Sequence, residues 1–143
     1  MFRKRGKMET HLTNEMRARL VQLGTEARER AYAPYSKYRV GAALVTPAGK
    51  YYTGANVENA AYPNGLCAER VALFHAVSQG EREFLAIAVV TGNGGTPCGA
   101  CRQAMAEFGL DTLVLIADAQ GKVLREVRLS ELLPGAFGPG DLG

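Results

Sequence analysis

The sequence predicts a single α/β domain, three-layered as α/β/α, with a mixed five-stranded sheet whose last two strands are antiparallel. Three observations carry this. Short β-rich runs alternate with helical patterns in the order αββαβαββ, the alternation that lays helices on both faces of a sheet. The first and last strand pairs flank tight turns instead of helices, so each is a hairpin. The chain has 143 residues, 47% of them hydrophobic, a length that hides roughly two thirds of the unfolded surface and supports one core.

Thr13 to Tyr32 reads as the first helix. Leu12, Met16, Leu20, Leu23, Ala27 and Ala31 recur every three or four residues with acids and arginines between them, and Pro34 stops it. Arg39 to Thr46 and Tyr51 to Ala55 read as strands around the Pro47-Ala48-Gly49-Lys50 turn. Asn56 to Leu66 has the composition of an ordered loop, rich in Asn with Pro and Gly. Cys67 to Gln79 is helical by residue choice and stops at Gly80. Because it is apolar nearly all round, it is expected between the sheet and either a second layer or a neighbouring subunit.

Phe84 to Thr91 is a β-rich apolar run, followed by a flexible link over Gly92 to Gly95. Pro97 opens a helix from Cys98 to Phe108, ended by Gly109. Thr112 to Ala117 and Lys122 to Val127 are strands around Asp118-Ala119-Gln120-Gly121, and Ser130 to Leu133 forms a last short helix. These elements make one domain over residues 13–137, with a basic, frayed segment over 1–12 and a C-terminal tail over 138–143.

Composition excludes several classes of function. Apolar runs such as Leu85–Val90 fall far short of the roughly 20 residues that cross a bilayer. The N-terminus is charged and lacks the apolar centre of a secretory signal, so a cytoplasmic, reducing location is expected. The net charge of +3 rests on Arg3, Lys4, Arg5 and Lys7, without which 13 basic side chains face 14 acidic ones. No basic cluster remains elsewhere to hold a nucleic acid. In a reducing compartment, three cysteines are better explained as thiols, metal ligands or catalytic groups than as disulfides.

All three cysteines fall at predicted helix starts: Cys67 opens one helix, and Cys98 and Cys101 lie in the first turn of the next. Positions three apart share a helix face, so Cys98 and Cys101 can grip one ion. The partial positive charge of a helix N-terminus favours the thiolate, the form that binds metal. Three thiolates from two such ends make a zinc site, and the fourth ligand decides its kind: four protein ligands are structural, three leave a place for water. His75 lies eight residues past Cys67, about 12 Å along the same helix, too far to close the site; a hydrogen-bonded core or interface role is expected for it. His11 precedes the first helix, with nothing around it to suggest a ligand. Glu69, two residues after Cys67, would lie near the open position, where a proton carrier belongs.

Cys67-Ala68-Glu69 followed by Pro97-Cys98-Gly99-Ala100-Cys101 resembles the zinc nucleobase deaminase signature in its three-cysteine form. The chain resembles the small, homotetrameric cytidine deaminases over about residues 20 to 137. Three further segments carry the likeness: Ala33-Pro34-Tyr35-Ser36-Lys37-Tyr38, Asn56-Val57-Glu58-Asn59-Ala60-Ala61-Tyr62 and Glu131-Leu132-Leu133-Pro134-Gly135-Ala136-Phe137. The resemblance implies one Zn²⁺ per subunit on Cys67, Cys98 and Cys101, acidifying a water that attacks C4 of cytosine. It makes Glu69 the proton shuttle, releasing ammonia and leaving uridine. Asn56 and Glu58 would clamp sugar hydroxyls common to cytidine and 2′-deoxycytidine, so both are expected substrates, as in pyrimidine salvage. Tyr38, Ala68 and Phe137 would be further substrate contacts, Phe137 reaching in from a neighbouring subunit, although position 38 is Phe in many relatives. Tyr62 reads as either substrate contact or interface packing.

Three thiolates leave a zinc centre with a net negative charge, which weakens its pull on water. A guanidinium donating to a sulfur withdraws that charge, and Arg70, adjacent to Glu69, is placed to do so; Arg102, adjacent to Cys101, is equally well read as a surface residue. Two rivals make different demands. A polynucleotide-editing deaminase wants a basic groove, and a helix between the last two strands that would let them run parallel. A zinc-stapled binding module wants a fourth ligand and tolerates loss of Glu69.

Overall fold

A computed structural model describes residues 11–143. Of the expected basic terminal segment, residues 1–10 lie outside the described part. Leu12, by contrast, is buried against the first helix and the sheet.

The described elements are α1 (Asn14–Arg28), β1 (Val40–Val45), β2 (Tyr51–Ala55), α2 (Ala68–Ser78), β3 (Ala86–Thr91), α3 (Gly99–Ala106), β4 (Leu113–Ala117), β5 (Val123–Arg128) and α4 (Leu129–Leu132). The five strands form one sheet in the order β2-β1-β3-β4-β5. β3 and β4 run parallel, joined across α3, while β1/β2, β1/β3 and β4/β5 are antiparallel. The last pair is thus antiparallel as its tight turn requires.

Alternation along the strands divides the core in two. Ala43, Val45, Ala88, Val90 and Leu115 face α1 through Leu20 and Val21. Ala42, Leu44, Ile87, Val114 and Ile116 face α2, α3 and α4 through Ala72, Leu73, Cys101, Met105 and Leu129. α2 sits close on β2 because Gly54 has no side chain: a Cβ there would stand 2.8 Å from the Ala68 carbonyl oxygen. The start of α2, and with it Cys67 and Glu69, is thereby held against the sheet.

Several boundaries move for tertiary reasons. α1 ends at Arg28 and does not reach Tyr32, because Tyr32 is drawn into a bridge with Val57: its N–H donates to Asn56 O at 2.9 Å and its carbonyl accepts from Glu58 N at 2.9 Å. α2 is not enclosed within the chain. Its sheet-facing side is buried, but Phe74 is 45% exposed and His75 is exposed as well. His75 is therefore not a core residue; its ring packs edge-on against Tyr52, with centroids 5.4 Å apart. No helix of the described residues is long and apolar enough to cross a membrane.

β5 is an edge strand, largely exposed, that α1 ties down through a two-pronged ion pair. Arg17 Nε donates to Glu126 Oε1 at 2.6 Å and Nη2 to Oε2 at 2.9 Å. The guanidinium holds the Glu126 carboxyl below its usual range. A carboxyl depressed in the fold stabilises above its unfolded pKa and loses that contribution as pH falls through its folded value. Both side chains are about a third exposed, so Glu126→Gln should cost at most about 1 kcal/mol at neutral pH. The difference in melting temperature from wild type should vanish at acid pH and shrink in high salt.

Candidate active site

Two helix starts build the metal centre. Cys67 and Cys98 are the N-caps of α2 and α3, both in extended conformation (φ −71°, ψ 153° and φ −69°, ψ 166°), and neither spends its side chain on capping. Their sulfurs are left free to meet. Cys67 Sγ lies 3.8 Å from Cys98 Sγ, which lies 3.4 Å from Cys101 Sγ, and all three fall within 4.8 Å of one another. Zn–S bonds of about 2.3 Å in a tetrahedron put sulfurs about 3.8 Å apart, so the triangle fits zinc. Among the described residues this is the one cluster of possible ligands, and neither His11 nor His75 joins it. The centre can hold one zinc through three protein ligands, without the fourth that a structural site requires.

The thiols share protons in a way that suits metal. The Cys67 thiol is lowered to about 5, first by the neighbouring Cys101 thiol and then by Arg70. Cys101 is pushed up by the neighbouring Cys67 thiol and by burial. Zinc would take the place of the shared proton, so loading the site releases protons.

Glu69 follows in the first turn of α2, 4% exposed. Burial raises its carboxyl above the ordinary range, and the negative charge of Cys67 adds to this. Its neighbour Arg70 points a guanidinium nitrogen at Cys67 Sγ, 3.7 Å away, while its Nε is buried with no hydrogen-bond partner.

These groups form the floor of a cavity of about 450 Å³. Tyr38, Asn56, Glu58, Cys67, Glu69, Arg70 and Cys98 all line it. Glu58 is held ready-made: Tyr35 N–H and Ser36 N–H donate to Oε1 at 3.0 and 3.1 Å, and the Ser36 hydroxyl donates to Oε2. The Ser36 hydroxyl, with the two backbone donors, keeps the carboxyl below its usual range. Asn56 spends part of its amide on the backbone, accepting from Val40 N–H at 2.9 Å and donating to Tyr38 O at 2.8 Å. One N–H and one lone pair remain for a ligand.

Three expected site residues lie elsewhere. Cys101 sits behind the floor, fully buried. The Ala68 side chain is buried in the core, which leaves only its backbone to meet a substrate. Phe137 is 55% exposed and outside its own chain's cavity, its carbonyl accepting from Gln103 Nε2 at 2.9 Å. Tyr62 lines the cavity at its rim, 76% exposed, with its ring edge-on to Tyr35.

Other groups carry no local sequence signal. Arg102 is not a free surface cation: it donates to Pro97 O at 2.7 Å, Leu132 O at 2.8 Å and Thr96 Oγ1 at 3.1 Å, fastening the segment before Cys98 to α4. Ser36, Thr91, Gly95 and Thr96 complete the wall. The 92–95 link, flexible by composition, is an ordered part of it, since Gly95 N–H donates to Thr91 Oγ1 at 2.8 Å.

Comparison with known proteins agrees with this geometry. Residues 14–117 match the family described as the cytidine and deoxycytidylate deaminase zinc-binding region. The chain is 50% identical over 129 residues to the cytidine deaminase of Halalkalibacterium halodurans, covering 88% of this chain and 97% of that protein. It is 42% identical over 120 residues to the cytidine deaminase of Mycobacterium tuberculosis, covering 82% and 86%. The crystal structure of cytidine deaminase from Burkholderia pseudomallei matches with a TM-score of 0.80 at 49% identity, over 88% of this chain and 100% of that one. A three-thiol zinc centre beside a buried carboxyl, on a sheet that matches at this level, places the chain in the zinc-binding cytidine and deoxycytidylate deaminase family.

Proposed function

We propose that the protein deaminates cytidine and 2′-deoxycytidine by hydrolysis, consuming one water and releasing ammonia with uridine or 2′-deoxyuridine. The observation that carries this is the pairing of three convergent thiols, lacking a fourth ligand, with the buried carboxyl of Glu69 in the same cavity. The names of the relatives support it.

Cys67, Cys98 and Cys101 would hold zinc, which when bound supplies a Lewis acid that makes water nucleophilic at neutral pH. Glu69 takes one proton from the attacking water and delivers it to N3 of the ring, then takes the second from the hydroxyl added at C4 and delivers it to the departing amine, so that both protons of the water are accounted for. One carboxyl does both because burial raises its affinity for the proton. Arg70 draws negative charge from Cys67 through its hydrogen bond. Asn56 and the ionised Glu58 receive the sugar hydroxyls, Tyr38 and the Ala68 backbone meet the base and its surroundings, and Phe137 serves the cavity of a neighbouring copy. Among the described residues Arg70 is the one cation lining the cavity, and it is turned to a sulfur. An uncharged nucleoside therefore fits better than a phosphorylated one.

The protein acts as a cytoplasmic homotetramer of single domains spanning residues 13–137, in pyrimidine salvage. The exposed outer face of α2 and the placement of Phe137 support assembly. No membrane or nucleic-acid partner is involved, and the antiparallel β4/β5 pair favours the nucleoside reading over polynucleotide editing.

The deciding experiment follows absorbance and ammonia when the zinc-loaded protein meets cytidine, 2′-deoxycytidine, free cytosine and a short cytosine-containing single strand. The two nucleosides should be consumed with equimolar ammonia, and the base and the strand should not. Consumption of the strand alone would overturn the assignment. Arg70→Ala, at equal zinc content, should lower turnover about 10-fold, the effect of one hydrogen bond to a charged group, and move the pH–rate profile to higher pH. An unchanged profile would remove Arg70 from the mechanism.

A further inference from the structure

The mouth of the cavity is closed on one side by hydrogen bonds that join segments far apart in sequence. Ser36 Oγ, which donates to Glu58, accepts from Tyr38 N–H at 3.0 Å. The Tyr38 hydroxyl then crosses to the 92–97 loop and donates to Asn93 Oδ1 at 2.9 Å, a tie between positions 55 apart. The same Asn93 oxygen accepts from Thr91 Oγ1 at 3.3 Å and Gly95 N–H at 3.2 Å, so the turn is wound around one amide group and Tyr38 fastens it from outside. Two residues after Gly95 comes Pro97, and then Cys98.

Gly95 belongs to this arrangement. A Cβ at that position would collide with the Tyr38 hydroxyl oxygen, whereas Asn93 Oδ1 at 3.4 Å and the ring carbon behind the hydroxyl, Cζ, at 3.7 Å would stand at ordinary contact distance. The obstacle at position 95 is thus the same oxygen that makes the tie, and phenylalanine at position 38 would lack both.

We propose that the Tyr38 hydroxyl is a positioning group that straps the 92–97 loop to the 36–38 segment, fixing the width of the cavity mouth between Glu58 and Cys98, and that Gly95 is required by that hydroxyl, the one atom with which a Cβ there would overlap. The reading of its effect on substrate rests on the proposed cytidine deamination. Its structural half stands apart from it.

A double-mutant cycle tests the strap: Tyr38→Phe, Gly95→Ala and the pair together, with KM and kcat for cytidine, zinc content and melting temperature measured for each. Tyr38→Phe keeps the ring but not the tie, and should raise KM about 3- to 10-fold, the range expected for one hydrogen bond, with kcat within about twofold and zinc retained. Gly95→Ala should lower the melting temperature and raise KM further. The double variant should return in both respects to the level of Tyr38→Phe, because the clash is gone. Additive effects, with Gly95→Ala equally harmful on either background, would overturn the strap, as would an unchanged KM in Tyr38→Phe. If Gly95→Ala does not fold, a folded double variant supports the proposal and an unfolded one defeats it. A wild-type protein inert towards cytidine would defeat the proposed function alone, since the melting cycle needs no substrate.

Discussion

Glu69→Gln should retain zinc and fold but lose cytidine turnover by about 10²- to 10⁴-fold, the usual range for removal of a group that moves a proton. Glutamine has nearly the same shape and fills the same buried space at the start of α2, yet its amide neither takes a proton from water nor gives one to the ring. No other carboxyl is near enough to substitute: Glu58, the other acid lining the cavity, is tied up by Ser36 and Tyr35 and kept ionised. Stability should move the other way. Burial raises the folded-state pKa of Glu69, so the folded protein binds more protons than the unfolded chain between the two values and loses stability as pH rises through that window. The variant has no such group. With both proteins stripped of metal, its melting temperature should therefore exceed wild type at neutral pH, with the gap growing as pH rises through the carboxyl range and levelling above it. Normal turnover in a zinc-loaded Glu69→Gln protein would reject the proton-shuttle role.

Cys101→Ser should abolish activity by a different route, emptying the metal centre. Cys101 is fully buried behind Cys67 and Cys98, and a hydroxyl there is a far poorer zinc donor than a thiolate. Two thiols remain, and zinc bound by the variant should fall from one per chain to near zero. A metal that binds only the folded form stabilises by about 4 kcal/mol when present at about a thousand times its dissociation constant. Wild type should accordingly melt higher with zinc than after chelation, and Cys101→Ser should melt alike in both. Protons compete for the same sulfurs, with Cys101 holding its proton well above the usual thiol range while Cys67 is lowered to about 5. Wild type should thus release zinc as pH falls, and loading should acidify an unbuffered solution. A Cys101→Ser protein with one zinc per chain and full activity would break the ligand assignment.

The parts of this site that were legible beforehand are those encoded over a few residues. Cys98 and Cys101 share a helix face because three positions nearly complete a turn, and the structure brings their sulfurs to 3.4 Å. Glu69 follows Cys67 on a helix start, and the antiparallel last strands follow from a four-residue turn. The departures from local pattern share one cause, contacts between residues far apart in the chain. The first helix was expected to run to Tyr32, but pairing with Val57 captured that residue. The glycine-rich link was expected to be flexible, but Tyr38 and Asn93 bind it. Arg102 has the local sequence context of a surface charge, although the carbonyls it holds belong to Pro97 and, 30 positions away, Leu132.

By itself the sequence determined the strand and helix order, the paired thiols of Cys98 and Cys101 and the acid two residues after Cys67, because period, turn chemistry and ligand spacing act between near neighbours along the chain. Only the tertiary structure decided that Cys67 meets Cys98 across 31 positions, that Tyr38 straps the cavity mouth and that Arg17 holds the edge strand through Glu126. Such contacts depend on strand register and helix packing together, and no local pattern specifies the two at once.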